Sequence, residues 1–341
     1  MRRARPVPPL ARRLGLLGGL SPTRFLQRHW QKQPLLVRQA FPGFVDPLTP
    51  DELAGLACEP EVESRLVMER GPSRRWQLFH GPQDPRRLRR LPRSRWTLLV
   101  QEVDKHLPAV AALLEPFDFV PRWRLDDVMV SFAPRGGTVG PHVDSYDVFL
   151  VQGRGRRRWQ VGARGPADFR PGLDLRILKR FRPEAEWLLE PGDMLYVPPG
   201  VAHHGVSLED SLTYSVGFRA PSRVDVLLRV LERVVNGTDG ERRYEDPDLR
   251  PAARPGEIGP DALRRLRSVV EAETSRVMSA DFARLMGELL TEPKGPPPRP
   301  LGRRRPRPAA RPSSAAAARP CCSSTAARTS CCPSWRGWPR W

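Results

Sequence analysis

Short apolar and alternating runs dominate the middle of the chain, between Trp123 and Phe218. They are separated by Gly and Pro turns at the spacing typical of a β-sandwich or barrel. The runs that predict strands are DDVMVSFA, YDVFLVQG, RRRWQVGA, EWLLEPGDMLYVPPG and SLTYSVGFR. This pattern predicts an all-β core.

The sequence before this region predicts mixed structure. Ser21 precedes a helical pattern and suits the N-cap position. The elements predicted after it are a strand in PLLVRQAF, a short helix and then a strand in PDELAGLACEPEVESRLVMERG, and an amphipathic helix in WTLLVQEVDKHLPAVAALLEPF. The last prediction rests on apolar residues at i, i+3 and i+4 spacing.

The spacing of apolar residues becomes helical after Pro221. Helices are predicted in RVDVLLRVLERVVNG, GPDALRRLRSVVEAETSRVMS and ADFARLMGELLTEP. The dipeptide Asn236-Gly237 is typical of a helix C-terminus. The apolar stripes on these helices suit packing against one another or against a partner subunit.

Composition separates the last segment from the rest of the chain. The 341 residues carry a net charge of +19, but the segment from Pro293 to Trp341 contains 11 Lys or Arg residues and no Asp or Glu. The other 292 residues hold 46 basic against 38 acidic side chains, a net charge of +8. A moderately basic body is compatible with an acidic or nucleic-acid-associated partner but does not require direct nucleic-acid binding.

Four of the five cysteines also lie in this last segment, which leaves Cys58 in the body. The body therefore cannot be a disulfide scaffold, and we expect a cytoplasmic protein. No apolar run approaches the roughly 18 residues that a membrane span needs.

Residues 1–20 are expected to be a basic N-terminal extension. Residues 294–341 lack Ile, Val, Phe and Tyr; we expect a frameshifted segment there, with a disordered basic arm or a cysteine-based metal site as alternatives.

Two histidines and an aspartate form a metal-ligand pattern in the predicted β region. His142 and Asp144 are one residue apart, so on a strand both side chains point to the same face. Further along, EPGDMLYVPPGVAHHG has the spacing of the second metal-binding motif of cupin barrels, which selects His203 rather than His204. Two imidazoles and one carboxylate form the facial triad of non-haem Fe(II) oxygenases. The alternative is that these are ordinary turn and strand-end residues.

Three consecutive arginines follow a turn signal at Gly153-Arg-Gly155, so YDVFLVQ and RRRWQVG are expected to pair as a hairpin. Strand alternation puts Arg157 on the apolar face with Trp159, and Arg156 and Arg158 on a solvated face. A buried guanidinium needs an anionic partner, and its planar fork suits a carboxylate. An Fe(II) oxygenase that uses 2-oxoglutarate needs such a group to bind the distal carboxylate of this cosubstrate, and Arg157 is the candidate.

These residues, in this order, resemble the JmjC-type (cupin superfamily) bacterial ribosomal oxygenases. The motifs that carry the resemblance are DDVMVSFAPRGGTVGPHVDSYDVFLVQGRGRRRWQVG, GDMLYVPPGVAHHG and YSVGFRAP, and the likeness extends over about residues 17–293. The resemblance implies a mainly β fold with helices: a double-stranded β-helix (jelly-roll, cupin) catalytic domain over residues 21–221, a helical dimerisation region over 222–279, and the start of a truncated winged-helix-like domain over 280–293.

The resemblance also implies an activity. Such an enzyme uses Fe(II), 2-oxoglutarate and O₂ to hydroxylate an arginine side chain of a large-ribosomal-subunit protein, and it acts as a homodimer. Iron is placed on His142, Asp144 and His203, and 2-oxoglutarate on Arg157. Ser131 is a second cosubstrate contact, unless it is an ordinary strand serine. The residues near enough in sequence to recognise the substrate arginine are Asp126, Asp127, Tyr146 and Asp147.

Two features depart from the family pattern. The loop PRGGTVG carries Arg135 and Thr138 where the family often has more glycine, and ADFARLMGELL alone represents the winged-helix-like domain before the tail. Gly136 and Gly137 are expected to let the backbone pass close to the site.

The alternative functions are a JmjC-type demethylase, another cupin dioxygenase or isomerase, and a non-catalytic cupin scaffold.

Overall fold

The computed structural model describes residues 15–70, 75–172, 175–251 and 254–292. Its named helices are α1 (Pro22–Arg28), α2 (Pro50–Leu56), α3 (Pro85–Arg89), α4 (Val103–His106), α5 (Pro108–Ala111), α6 (Arg223–Gly237), α7 (Pro260–Ala280) and α8 (Phe282–Thr291). Its strands are β1 (Leu35–Val37), β2 (Ser64–Arg70), β3 (Arg75–His80), β4 (Trp96–Val100), β5 (Leu125–Ala133), β6 (Val148–Gln152), β7 (Arg157–Arg164), β8 (Pro183–Leu189), β9 (Met194–Val197), β10 (Val201–Ser207) and β11 (Ser211–Phe218). The tail predicted over residues 294–341 and most of the N-terminal extension lie outside the described residues.

The strands form two antiparallel sheets. The larger has the order β1-β9-β6-β11-β5-β4-β2-β3, and the smaller has the order β10-β7-β8. Strands β6, β9 and β11 are buried along their whole length, so both faces of the larger sheet are covered there. One face packs on the smaller sheet through an apolar cluster made of Val148, Leu150, Trp159, Val161, Leu189, Leu195, Val197 and Val201. This arrangement confirms the predicted all-β core.

The other face of the larger sheet is covered by the N-terminal helices. Helix α1 begins after Ser21, whose Oγ accepts a hydrogen bond from the Arg24 N–H (3.2 Å), as the sequence predicted. Its buried Phe25 packs against the rings of Phe149 and Tyr196, with centroids 5.6 and 5.0 Å away. Aromatic packing therefore joins α1 to the centre of the larger sheet.

The helix predicted from WTLLVQEVDKHLPAVAALLEPF is wrong for its first part. Trp96–Val100 is strand β4, which pairs with β2 on one side and β5 on the other, and every residue in it is buried. A strand buried on both faces has a continuous apolar run, which periodicity cannot distinguish from a helix segment. The helix also does not continue through the rest, because Glu102 has a φ of +53° and Pro108 starts a separate short helix.

The predicted hairpin between β6 and β7 is also wrong. Strand β6 pairs with β9 and β11, whereas β7 pairs with β8 and β10, so the two strands lie in different sheets. The turn between them does exist, since the Gln152 side chain donates to the carbonyls of Arg154 and Gly155 (both 3.1 Å). The sequence Gly153-Arg-Gly155 predicts that the chain changes direction here. It does not predict which strands β6 and β7 pair with, because that depends on how both strands are buried in the sandwich.

The C-terminal helices α6, α7 and α8 pack on one another through a small cluster of Val230, Val277 and Leu285. Most of their other apolar side chains are exposed, including Val224, Leu227, Leu228, Leu231 and Val235 on α6, and Leu263, Leu266, Val269 and Val270 on α7. Within the described residues, none of the helices combines the length and hydropathy needed to cross a membrane. The division into a dimerisation region and a winged-helix-like segment remains a prediction.

Candidate active site

The structure brings His142, Asp144 and His203 together at one end of the sandwich. His142 lies outside the named strands, but it forms an antiparallel bridge with His203 on β10. The backbone of Asp144 is fixed by the Gly200 N–H, which donates to its carbonyl (2.8 Å). The Pro-Pro-Gly turn before β10 therefore holds the loop of the first two residues beside the third.

The side chains of these three residues converge. Nε2 of His203 lies 3.4 Å from Oδ2 of Asp144, and Nε2 of His142 lies 3.9 Å from Oδ1. One ligand atom from each residue lies within 4.8 Å of the others, as expected for donors around a single metal ion.

Hydrogen bonds to the other ring nitrogens orient both imidazoles. Nδ1 of His142 lies 2.9 Å from the Gly140 carbonyl, and Nδ1 of His203 lies 3.0 Å from the Val201 carbonyl. A carbonyl oxygen accepts only, so in each neutral ring Nδ1 carries the proton and Nε2 keeps its lone pair for a metal.

The three groups carry coupled charges. Burial alone would lower the pKa of His203, but its contact with Asp144 outweighs this and raises the pKa, so the proton on Nε2 is the one that a metal ion would replace. Burial, together with the neighbouring His203, lowers the pKa of His142 to about 4, so this ring is neutral near pH 7. Burial alone would raise the pKa of Asp144, but the hydrogen bond from His203 and the nearby imidazoles outweigh it and lower the pKa to about 2. The site thus presents a carboxylate and a neutral imidazole, the protonation states that ligation requires. The donor set fits Fe(II) or another divalent transition metal.

Arg157 supplies a buried positive charge beside this site. Its side chain is 3% exposed, and its NH1 donates to Ser131 Oγ (3.3 Å) and Thr213 Oγ1 (3.2 Å). Its Nε has no hydrogen-bond partner among the described residues, and no described carboxylate forms an ion pair with it. Burial lowers its pKa to about 10, which still leaves the guanidinium charged at neutral pH. A buried cation with an unsatisfied donor fits an anionic ligand.

One cavity of about 430 Å³ joins the two parts. It is lined by the three converging residues and by Arg157, Ser131 and Thr213, together with Thr97, Gln101, Tyr146 and Trp159 among others. This volume is in the range of small-molecule sites in proteins. The strand alternation that placed Arg157 on the apolar face with Trp159 is confirmed, since both are buried in β7 while Arg158 and Gln160 are only partly buried.

Some residues singled out from the sequence lie in the cavity and others do not. Asp126, Asp127 and Tyr146 line it, and Tyr146 is 41% exposed. Asp147 does not, because it is fully buried elsewhere and accepts hydrogen bonds from Tyr196 (2.6 Å), Gln31 (3.0 Å) and Arg124 (3.2 Å). A role for Asp147 in binding a substrate arginine is therefore wrong.

The neighbours of the predicted residues also lie outside the cavity. His204 packs its ring edge against Phe181, with centroids 6.0 Å apart. Arg156 is exposed and pairs with Glu209 (2.9 Å). Gly137 approaches β4 rather than the site, since a Cβ atom there would lie 2.3 Å from the Trp96 carbonyl oxygen.

Thr213 was missed from the sequence. It lies opposite Ser131 where β11 pairs with β5, which puts both hydroxyls within reach of Arg157. Alternation within SLTYSVGFR predicts which of its residues share a face of the strand. It does not predict which strand pairs with this one, so it does not place Thr213 beside Ser131. No signal in the sequence identifies this threonine.

Comparisons with known proteins agree with this geometry. A family model described as JmjC domain matches residues 112–226. The chain is 44% identical over 247 residues to the ribosomal protein uL16 3-hydroxylase of Escherichia coli K12, an alignment covering 72% of this chain and 65% of that protein. The chain spans less than two thirds of the length of the curated relatives it matches.

Solved structures of a ribosomal oxygenase are also similar to this chain. An X-ray structure of E. coli YcfD is similar with a TM-score of 0.73 and 41% identity, over 81% of this chain and 73% of that one. A structure described as YcfD, a ribosomal oxygenase from E. coli, in complex with cobalt and 2-oxoglutarate is similar with a TM-score of 0.70 and 40% identity, over 81% and 72% of the two chains.

Proposed function

This chain belongs to the JmjC-domain ribosomal oxygenases, and from that premise we propose that it is an Fe(II)- and 2-oxoglutarate-dependent hydroxylase of an arginine side chain in a large-ribosomal-subunit protein. The observation that carries this function is the shared cavity of the His142, Asp144 and His203 donors and the unpaired guanidinium of Arg157. A simple binding module has no need for both a metal-donor set and a buried anion site in one cavity.

The ligands of the iron would be Nε2 of His142, Nε2 of His203 and a carboxylate oxygen of Asp144. When bound, iron supplies the redox chemistry by which O₂ and 2-oxoglutarate turn a C–H bond into C–OH, with release of succinate and CO₂. The protein fixes the donors before the metal arrives, because the carbonyls of Gly140 and Val201 hold the two rings through Nδ1.

Arg157 would bind the distal carboxylate of 2-oxoglutarate. The carboxylate accepts hydrogen bonds from the guanidinium, including from the Nε that has no partner among the described residues, and it neutralises the buried charge. Ser131 and Thr213 hold NH1 in place and leave the rest of the guanidinium for the ligand. The cosubstrate would thus be oriented from its far end.

The substrate arginine would be recognised by Asp126 and Asp127, whose positions on β5 line the same cavity. Carboxylates offer the geometry that a guanidinium prefers. Each is partly engaged already, since Asp126 lies 3.4 Å from Nε of Arg219 and Asp127 accepts from the Glu102 N–H (2.9 Å). We assign these two residues to positive-charge recognition and the partly exposed Tyr146 to contact with the aliphatic part of the side chain.

The protein would work as a homodimer in the cytoplasm. Helices α6 and α7 expose many large apolar side chains, and a second copy would cover them. A ribosomal protein substrate, as in the E. coli relative, is available in the cytoplasm.

The test is turnover by the full-length protein loaded with Fe(II). Succinate release is measured with 2-oxoglutarate and a set of peptides from large-subunit ribosomal proteins, and the peptides are sequenced by mass spectrometry for one added oxygen atom. Hydroxylation of an arginine supports the proposal. Loss of a methyl group from a methyl-lysine peptide would instead indicate a demethylase, and no turnover by folded, iron-loaded protein would indicate a scaffold.

A further inference from the structure

An arginine-rich segment lies on the surface outside the active site. The sequence from Pro85 to Arg95, PRRLRRLPRSR, contains six arginines and no carboxylate. All six side chains are exposed, at positions 86, 87, 89, 90, 93 and 95. The density of positive charge here is far higher than in the body as a whole.

The backbone of this segment is nevertheless well fixed. Leu88 is buried (1% exposed), the Asp84 side chain caps α3 by accepting from the Arg86 N–H (2.7 Å), and the Trp96 indole donates to the Pro92 carbonyl (2.6 Å). The Arg87 guanidinium lies 4.2 Å from the centre of the Phe79 ring. A rigid backbone that holds exposed arginine side chains forms a preorganised surface, which lowers the entropic cost of binding.

The segment continues into a second set of arginines. Arg95 donates its N–H to the carbonyl of Arg135 (3.1 Å), and Arg135 lines an open groove with Arg154 and Arg156. Two carboxylates also line this groove: Glu209, which pairs with Arg156, and Asp210. Asp46 accepts from the Arg154 N–H (3.2 Å). Across the described parts of the chain, neither Arg135 nor Arg154 forms a side-chain ion pair. We call residues 86–95 together with these three arginines the arginine surface.

The groove of Arg135, Arg154 and Arg156 lies at the end of the sandwich opposite to the metal donors, whereas Arg87 packs on Phe79, the neighbour of the cavity-lining His80. Strand β6 follows Asp144 at one end and reaches the turn of Arg154 at the other, and β10 begins near His203 and ends at Ser207 beside the groove. A partner in the groove would therefore leave the active-site cavity open to a substrate.

We propose that the arginine surface binds the phosphate backbone of RNA. Guanidinium groups form bidentate hydrogen bonds with phosphate oxygens, and a polynucleotide offers a row of phosphates that can meet many arginines at once. Protein interfaces are usually built around a desolvated apolar centre. Among the residues that line the groove, the exposed large apolar side chain is Leu208, at 36% exposure. The surface fits a nucleic acid better than an acidic protein, and this function adds to the proposed hydroxylation without depending on it.

The experiment compares two quadruple variants of the full-length chain. R86Q/R90Q/R93Q/R135Q removes four charges from the arginine surface, and R223Q/R243Q/R250Q/R267Q removes four exposed charges from the helical region. Both keep the basic C-terminal segment. Binding of a short fluorescein-labelled RNA is followed by anisotropy over a salt series, without metal or 2-oxoglutarate, and circular dichroism confirms that each variant is folded.

We expect the surface variant to bind RNA at least about tenfold more weakly and to lower the salt slope by about three to four, since each lost phosphate contact lowers it by about one. The control variant should stay within about twofold of the wild type. Equal losses in both variants would overturn the proposal, because they would show a general charge effect. Wild-type affinity in both variants would also overturn it, because the RNA would then bind the basic C-terminal segment. It would also be overturned by no binding at low salt, or by polyglutamate competing as well as unlabelled RNA at equal charge.

The surface variant should hydroxylate a short peptide at the wild-type rate if the chain is an oxygenase. Because the RNA measurement needs neither iron nor cosubstrate, a chain that binds RNA but shows no turnover would contradict the proposed hydroxylation alone. A chain that hydroxylates but does not bind RNA would contradict the arginine surface alone.

Discussion

His142 and His203 exchange both of their backbone hydrogen bonds although they are 61 positions apart in the chain. The His142 N–H donates to the His203 carbonyl (3.0 Å), and the His203 N–H donates to the His142 carbonyl (2.9 Å). Their ring centroids are consequently 4.2 Å apart, on the same side of the bridge as Asp144. The two imidazole donors are therefore positioned by the backbone before any metal binds.

Replacing either histidine should weaken metal binding strongly. We expect His142→Ala and His203→Ala to lower Fe(II) affinity at least about 100-fold, because two remaining donors cannot hold the ion in a defined geometry. Isothermal titration with Co(II) and metal analysis of purified protein measure this. His204→Ala is the matched control, since that ring lies outside the cavity, and a similar loss in this variant would contradict the assignment of the three ligands.

Arg157→Gln should raise the KM for 2-oxoglutarate by about 10- to 100-fold, because hydrogen bonds to a charged group contribute about 1.5–3 kcal/mol. Metal affinity should be unchanged. Arg158→Gln, on the other face of β7, should stay within about twofold of the wild type. An unchanged KM in Arg157→Gln would show that the cosubstrate binds elsewhere.

Arg157→Met tests the same residue through stability. Without ligand, the buried guanidinium has an unsatisfied donor, so removing its charge should leave the melting temperature equal or higher. The wild type should gain about 2.7 kcal/mol from 2-oxoglutarate at 100 times its Kd, and the variant at the same concentration should gain at most about 1.4 kcal/mol. Thermal melts with and without the ligand distinguish these outcomes, and equal stabilisation of both proteins would oppose the role.

Thr213→Val removes a hydroxyl that accepts from Arg157 (3.2 Å) and donates to Gln152 Oε1 (3.3 Å). Leaving buried polar groups without partners should cost about 1–3 kcal/mol of unfolding free energy and raise the KM for 2-oxoglutarate several-fold. The control is Thr97→Val in the same cavity, because its buried Oγ1 has no hydrogen-bond partner among the described residues. That change should be neutral or stabilising in denaturant unfolding, so equal losses would contradict the prediction.

Asp193 should make stability depend on acidic pH. Burial alone would raise its pKa, but hydrogen bonds from the Gln39 N–H (2.9 Å), the Glu190 N–H (3.1 Å) and the Arg38 guanidinium (2.7 Å) outweigh this and lower the pKa below the usual value of 3.8. Because the folded-state pKa is depressed, the stabilisation is complete above the unfolded pKa and is lost as pH falls through the folded pKa.

The variant Asp193→Asn should therefore be less stable than the wild type at pH 7, by about 1–3 kcal/mol. The difference should shrink as the pH falls from about 5 towards 3. Urea unfolding over this range measures it, with the exposed Asp248→Asn as control. A difference that stays constant with pH would show that packing rather than charge is responsible.

Leu227→Glu together with Leu231→Glu should make the protein monomeric. Both side chains are more than half exposed on α6 and would be buried by a second copy, where a carboxylate without a partner is costly. Light scattering after size-exclusion chromatography measures the mass. Val45→Glu, at an 83% exposed position outside the helical region, should leave the mass unchanged. A wild type that is monomeric at high concentration would contradict the proposed dimer.

The buried face of β7 could be predicted from the sequence because side chains alternate with a period of two in any strand, whatever lies beside it. The same is true of the choice of His203 over His204, which followed from the spacing of two turns around a short strand. These are local properties, set by backbone geometry over a few residues. The structure places Arg157 of β7 and His203 in the cavity.

The sequence did not determine which strands lie next to each other. Gly153-Arg-Gly155 marks a turn in either topology, and only burial of β6 and β7 in opposite sheets shows that the turn connects layers instead of forming a hairpin. Long-range pairing also explains why β4 is a strand and why the Thr213 hydroxyl reaches Arg157. Both β4 and β11 pair with β5, and no local pattern predicts this. Local periodicity thus determined which side chains face inward, while the tertiary structure decided what they meet there, because the free energy of strand pairing comes from apolar surface contributed by distant segments.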